Sequence, residues 1–145
     1  MRTFRVIKRL IKYYQTARSV YDEYKDGNDE TNDYCRGRCV GFRYALAHME
    51  RRDISSSEKE KLLRRYEFQV TDEGLKKVFS SLRELVGSEI CDPGLDPKDP
   101  GGGLLNENFK RGFTNAIELS YRLFDDTFNY MSFGELFRAM INKGK

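Results

Sequence analysis

The pattern of apolar and polar positions is helical on both sides of one break. Between residues 4 and 25, Ile7, Leu10, Tyr14, Ala17, Tyr21 and Tyr24 recur at alternating spacings of three and four. That rhythm keeps them on one face of an α-helix. Arg2, Arg5, Lys8, Arg9 and Lys12 fall on the other side. Gly27 stands where a C-terminal cap belongs. A short polar connection leads into a second helix over residues 31–51, with Cys35, Cys39, Phe42, Leu46 and Met49 as its apolar face. A short link between two helices makes them an antiparallel hairpin.

Three further helices follow. Ser55 with Glu58, or Ser57 with Glu60, fits a capping box opening the third, "SSSEKEKLLRRYEF". The fourth, "TDEGLKKVFSSLRELVG", carries Leu75, Val78, Phe79, Leu82, Leu85 and Val86 on one face and stops at Gly87. The fifth, residues 106–128, has apolar groups over a wide arc from Phe109 to Phe128, as befits a central helix. Phe133, Leu136, Phe137, Met140 and Ile141 outline a short sixth. No stretch alternates with a period of two, so no sheet is expected.

All three prolines lie between residues 93 and 100. With the glycines around them they make 91–103 a loop. The expectation is a compact all-α bundle of five or six helices in one domain, residues 1–145. Its parts are an N-terminal four-helix part (1–90), the loop (91–103) and a C-terminal helical pair (104–145). Residues 41–51, "GFRYALAHMER", and 112–122, "GFTNAIELSYR", also share G-F-x-x-A-[LI]-x-x-x-x-R. Five shared positions are within reach of chance in a helical chain.

Composition sharpens the picture modestly. Ten Phe and nine Tyr with no Trp make an aromatic core. The formal net charge is +3, divided as +5 over residues 1–52 and −2 over the rest. A basic front can meet phosphate, an anionic membrane or an acidic protein. Three cysteines do not build a secreted disulfide framework. There is no secretory hydrophobic run and no apolar stretch of membrane length, so a cytoplasmic, intracellular protein is expected. Five Lys/Arg in the first twelve residues, with no acid before Asp22, also fit an organelle transit peptide, which leaves that route open.

The stretch "NDYCRGRCVGFRYALAHMERR", residues 32–52, looks most like chemistry. Cys35, Cys39, His48 and Cys91 together could supply the four ligands of structural zinc. However, both cysteines of the stretch lie on the apolar face of a helix, and His48 projects well away from them. The residues read as packed core, and no metal or other cofactor is expected. Gly37 and Gly41 cost helix stability, about 0.5–1 kcal/mol each relative to alanine. Their use is close approach of another backbone, either from this chain (preferred) or from a second copy. Tyr44 and His48 share that face.

With one histidine, no phosphate-binding loop and no nucleophile elbow, no enzymatic constellation stands out. Asp125 and Asp126 are adjacent and diverge on a helix. The leading reading is a non-enzymatic protein-binding module presenting a helical surface to a macromolecule. One form such a module takes is a viral, phage-type modulator of a host factor. Its contact residues would be Arg5, Lys8, Arg9, Lys12 and Tyr13. The alternatives are a nucleic-acid-binding accessory protein using the same basic face, and a structural subunit of a larger assembly.

Overall fold

The computed structural model describes residues 2–24, 29–67, 70–86 and 106–124. They form five helices: α1 (Arg2–Tyr24), α2 (Asp29–Met49), α3 (Ser56–Glu67), α4 (Asp72–Val86) and α5 (Glu107–Arg122). Among the described residues there is no strand. The expected loop at 91–103, the caps Gly27 and Gly87, the sixth helix and the Asp125–Asp126 pair lie outside the described residues.

Local chemistry explains where the helices start. The Ser55 hydroxyl accepts the Glu58 backbone N–H at 3.2 Å, so Ser55, from the first of the two expected boxes, caps α3. Thr71 Oγ1 accepts the Gly74 N–H at 3.0 Å and opens α4. Asn106 caps α5 by accepting the Phe109 N–H at 2.9 Å. Its side-chain amide also donates to Asp33 Oδ2 at 2.6 Å, which ties the start of α5 to the start of α2.

α1 runs antiparallel to α2. Tyr14 lies beneath the Arg43 guanidinium at 6.0 Å, whereas Tyr21, further along α1, lies near Arg36, earlier in α2. Tyr13 meets Phe42 edge-on with centroids 5.7 Å apart. α5 runs parallel to α2, because its contacts advance in step: Asp33 to Asn106, Gly37 to Phe109 and Phe113, Gly41 to Phe113 and Ala116. α2 is therefore enclosed on several sides. Nearly every residue from Cys35 to Met49 is buried, the polar ones included, where the sequence pattern had marked only one apolar face.

The α2–α5 contact is a backbone contact. A methyl group on Gly37 would collide with the Phe109 carbonyl and stand 2.9 Å from the Phe113 nitrogen. One on Gly41 would lie 2.7 Å from the Ala116 Cβ. From the other side, one on Gly112 would collide with the Tyr34 carbonyl. Three glycines on two helices thus remove the side chains that would hold the helices apart. Gly37 and Gly41 face this internal neighbour. The two G-F motifs sit on contacting helices, but Gly41 meets Phe113 and Ala116 while Gly112 meets Tyr34 and Arg38. The two glycines are not equivalent across the contact.

Buried charge is accommodated around this pair. Arg36 lies over the Phe109 ring at 4.9 Å and 3.7 Å from Asp33. Arg38 lies over Phe42 at 5.5 Å. Lys59 of α3, buried, donates from Nζ to the Met49 carbonyl at 2.8 Å. A cation there satisfies a carbonyl at the C-terminus of α2 and complements its dipole.

Gly37→Ala tests the contact. Backbone obstructs the added methyl, so the helices must separate, at an expected cost of about 1–3 kcal/mol or more. Urea denaturation should register a lower midpoint. An unchanged midpoint would mean the helices are not in backbone contact.

Candidate interaction face

The candidate partner-binding residues all lie on α1. Its buried stripe is Val6, Leu10, Tyr13, Ala17 and Tyr21. Ile7 and Tyr14, expected on the apolar face, are only half-buried at its edge. The side chain of Tyr24 lies outside the described residues.

This rotation corrects the placement of Tyr13. Its ring is 1% exposed and packs against Phe42. Burial pushes its hydroxyl up to about 12, against the pull of nearby Arg9. Tyr13 is core and takes no place on the outer face. The doublets Val6–Ile7 and Tyr13–Tyr14 offered two apolar stripes one residue apart, and the bare spacing did not say which one α2 would cover.

Arg5, Lys8, Arg9 and Lys12 lie together and line a concavity of about 230 Å³. Arg5, Lys8 and Lys12 have no ion-pair partner among the described residues, although Lys8 lies over the Phe4 ring at 5.3 Å. Several cations elsewhere are paired: Arg64 with Glu60 at 2.9 Å, Lys110 with Asp72 at 3.0 Å, Arg122 with Glu118 at 3.1 Å. Beside the α1 cations, Phe4 is 59% and Ile11 40% exposed.

A second concavity, about 240 Å³, lies at the C-terminal end of α2. His48, Arg51 and Asp53 line it with Ser81, Glu84 and Leu85 of α4. His48 is 4% exposed and meets the Tyr44 ring edge-on at 4.4 Å. Tyr44 in turn packs against Tyr66 and Phe113, and its burial raises its hydroxyl. The Arg51 guanidinium lies 3.3 Å from His48 Nδ1. Arginine can only donate, so Nδ1 accepts and the imidazole carries its proton on Nε2. Burial, then the Arg51 charge, pull His48 down to about 4, against the opposing charge of Asp53. Arg51 is anchored in turn by Asp53, with Nε to Oδ1 at 2.9 Å. That bond holds the Asp53 carboxyl down at about 2. The arrangement fixes a neutral imidazole whose acceptor nitrogen is already engaged.

Cys35 and Cys39 are free thiols in the core. Burial raises both, Cys39 to about 12. Among the described residues no group of three or more His, Cys, Asp or Glu side chains is placed to hold a metal ion. Cys91 lies outside them. No helix among the described residues is long and apolar enough to cross a membrane. No protein-family model, curated protein or solved structure matches the chain.

Two outcomes follow. Thiolates are the reactive form, so Cys35 and Cys39 should resist a thiol reagent in the native protein and react promptly in urea. Fast native labelling of either would contradict their burial. For His48, the folded value near 4 lies below the ordinary 6.5, so the folded state binds fewer protons. Its contribution is complete above about pH 6.5 and is lost as pH falls towards 4, on the order of 2 kcal/mol after allowing for solvent screening. Denaturation of the wild type and of His48→Gln at pH 7 and pH 4 should show the difference between them shifting against the wild type in acid. A pH-independent difference would contradict the neutral buried imidazole.

Proposed function

We propose that the chain is a non-enzymatic protein-binding module that presents the outer face of α1 to an acidic surface on a partner. One observation carries the reading: Arg5, Lys8, Arg9 and Lys12 gather about one concavity, three of them without an ion-pair partner among the described residues. Residues three and four apart on a helix are neighbours, and like charges there repel by roughly 0.2–0.5 kcal/mol per pair. The four cations make several such pairs with each other. A bound anionic group would turn that repulsion into attraction.

An acidic protein suits this face better than nucleic acid. The four cations span only about 10 Å of helix, whereas strongly salt-dependent DNA binding rests on roughly 6–10 phosphate contacts. Exposed Phe4 and Ile11 beside the charges favour a protein contact, where apolar anchors sit within a polar rim. Nucleic acid is the second reading, favoured by the absence of any acid in α1 before Asp22. The reading places the module inside the cell, where free thiols stay reduced.

Converting Arg5, Lys8, Arg9 and Lys12 to glutamine together tests the face. The melting curve should stay within about 0.5 kcal/mol of wild type, as for most surface changes. Binding to polyglutamate should be lost. Binding to random duplex DNA with a log–log salt slope that shrinks by roughly 0.9 per lost cation would favour the second reading. Unchanged binding to both polymers would remove the basic face from function.

A further inference from the structure

Two apolar stripes run along α1, one residue out of step. Val6, Leu10, Tyr13 and Ala17, at spacings of four, three and four, are spent on the core. Phe4, Ile7, Ile11 and Tyr14, at three, four and three, lie about 100° further round the helix. Ile7 and Tyr14, the inner members, pack on the rim of the core. Phe4 and Ile11, the outer members, are 59% and 40% exposed.

Singly exposed apolar side chains are ordinary on protein surfaces. These form a seam with the spacing that helices use to pack on helices. The seam is also flanked. Arg5 follows Phe4, Lys8 follows Ile7 and Lys12 follows Ile11, so a row of cations borders its outer side. Arg43 of α2 borders the opposite side, over Tyr14.

We infer that Phe4, Ile7, Ile11 and Tyr14 are a docking seam for an amphipathic helix of a partner protein, with its apolar positions on the seam and its carboxylates against Arg5, Lys8 and Lys12. The inference rests on the basic-face reading and specifies the form of the partner. Charge complementarity selects acidic flanks, and a straight apolar row suits the apolar stripe of an amphipathic helix. The seam runs about 15 Å, roughly three helical turns. A helix is preferred to a flat anionic surface because the cations border the apolar row along one side, with Arg43 over Tyr14 at one end.

The probe is a designed peptide of about 18 residues, with leucine at the three-four positions and glutamate on the flanks. Its control is a scrambled peptide of identical composition, which keeps the charge and destroys the seam. The wild type should bind the designed peptide at least about tenfold more tightly than the scramble, as expected for burying two further apolar side chains. Phe4→Ser with Ile11→Ser should erase that preference while keeping polyglutamate binding and the melting curve. If both peptides bind alike, or if the double variant keeps the preference, the seam is overturned while the basic face stands. If neither the peptides nor polyglutamate binds, both readings fall.

Discussion

Backbone contact between α2 and α5 is the constraint on which the described structure depends. Carbonyls of one helix occupy the space where a side chain of the other would stand, and only glycine at positions 37, 41 and 112 permits it. Close approach brings the surrounding large side chains into contact: Phe113 against Tyr44 and Tyr66, and Phe109 against Phe79 of α4. The helix-propensity cost of the glycines is offset by packing that a wider separation would forfeit. Parallel helices cannot be joined by a tight turn, and α3 and α4 fall between them in the chain and pack against the pair.

Enclosing α2 creates an electrostatic problem, and the structure meets it in several ways. Arg36 and Arg38 keep their charge beside aromatic faces, where the ring quadrupole attracts a cation. Desolvation lowers the affinity of both for the proton, and neighbouring groups, chiefly Asp33 for Arg36 and Tyr34 for Arg38, oppose it. Lys59 spends its charge on the last turn of α2. His48 gives up charge altogether and accepts a bond from Arg51. By contrast, Arg5, Lys8 and Lys12 on α1 have neither burial nor carboxylate partners among the described residues. That contrast separates cations that serve the fold from those on which the proposed contact rests.

The helices were legible because three-four spacing survives without knowledge of neighbours. The Ser55 cap was equally local. Gly37 and Gly41 announced a close approach, but a glycine marks a vacancy without saying what fills it, so the identity of the neighbour as α5 and its parallel register were not readable. Tyr13 was misplaced for a related reason: Tyr13 and Tyr14 are chemically alike, and only the position of Phe42 decides which is covered. The burial of Arg36 and Arg38 was hidden because arginine is ordinarily a surface residue, and the rings that accept these two come from tertiary packing and from the same helix. The outer stripe of α1 was present in the sequence, but it separates from the inner stripe only once α2 has claimed one of them.

Native-state hydrogen exchange tests the central claim, that the α2–α5 contact organises the fold and α1 is laid on it. Backbone amides of residues 37–45 and 109–117 should exchange slowest and together, at the free energy of global unfolding. Amides in the first three turns of α1 should open at lower free energy. If α1 instead holds the slowest amides, or if α2 and α5 exchange at clearly different free energies, the glycine-mediated contact is not the element that holds this protein together.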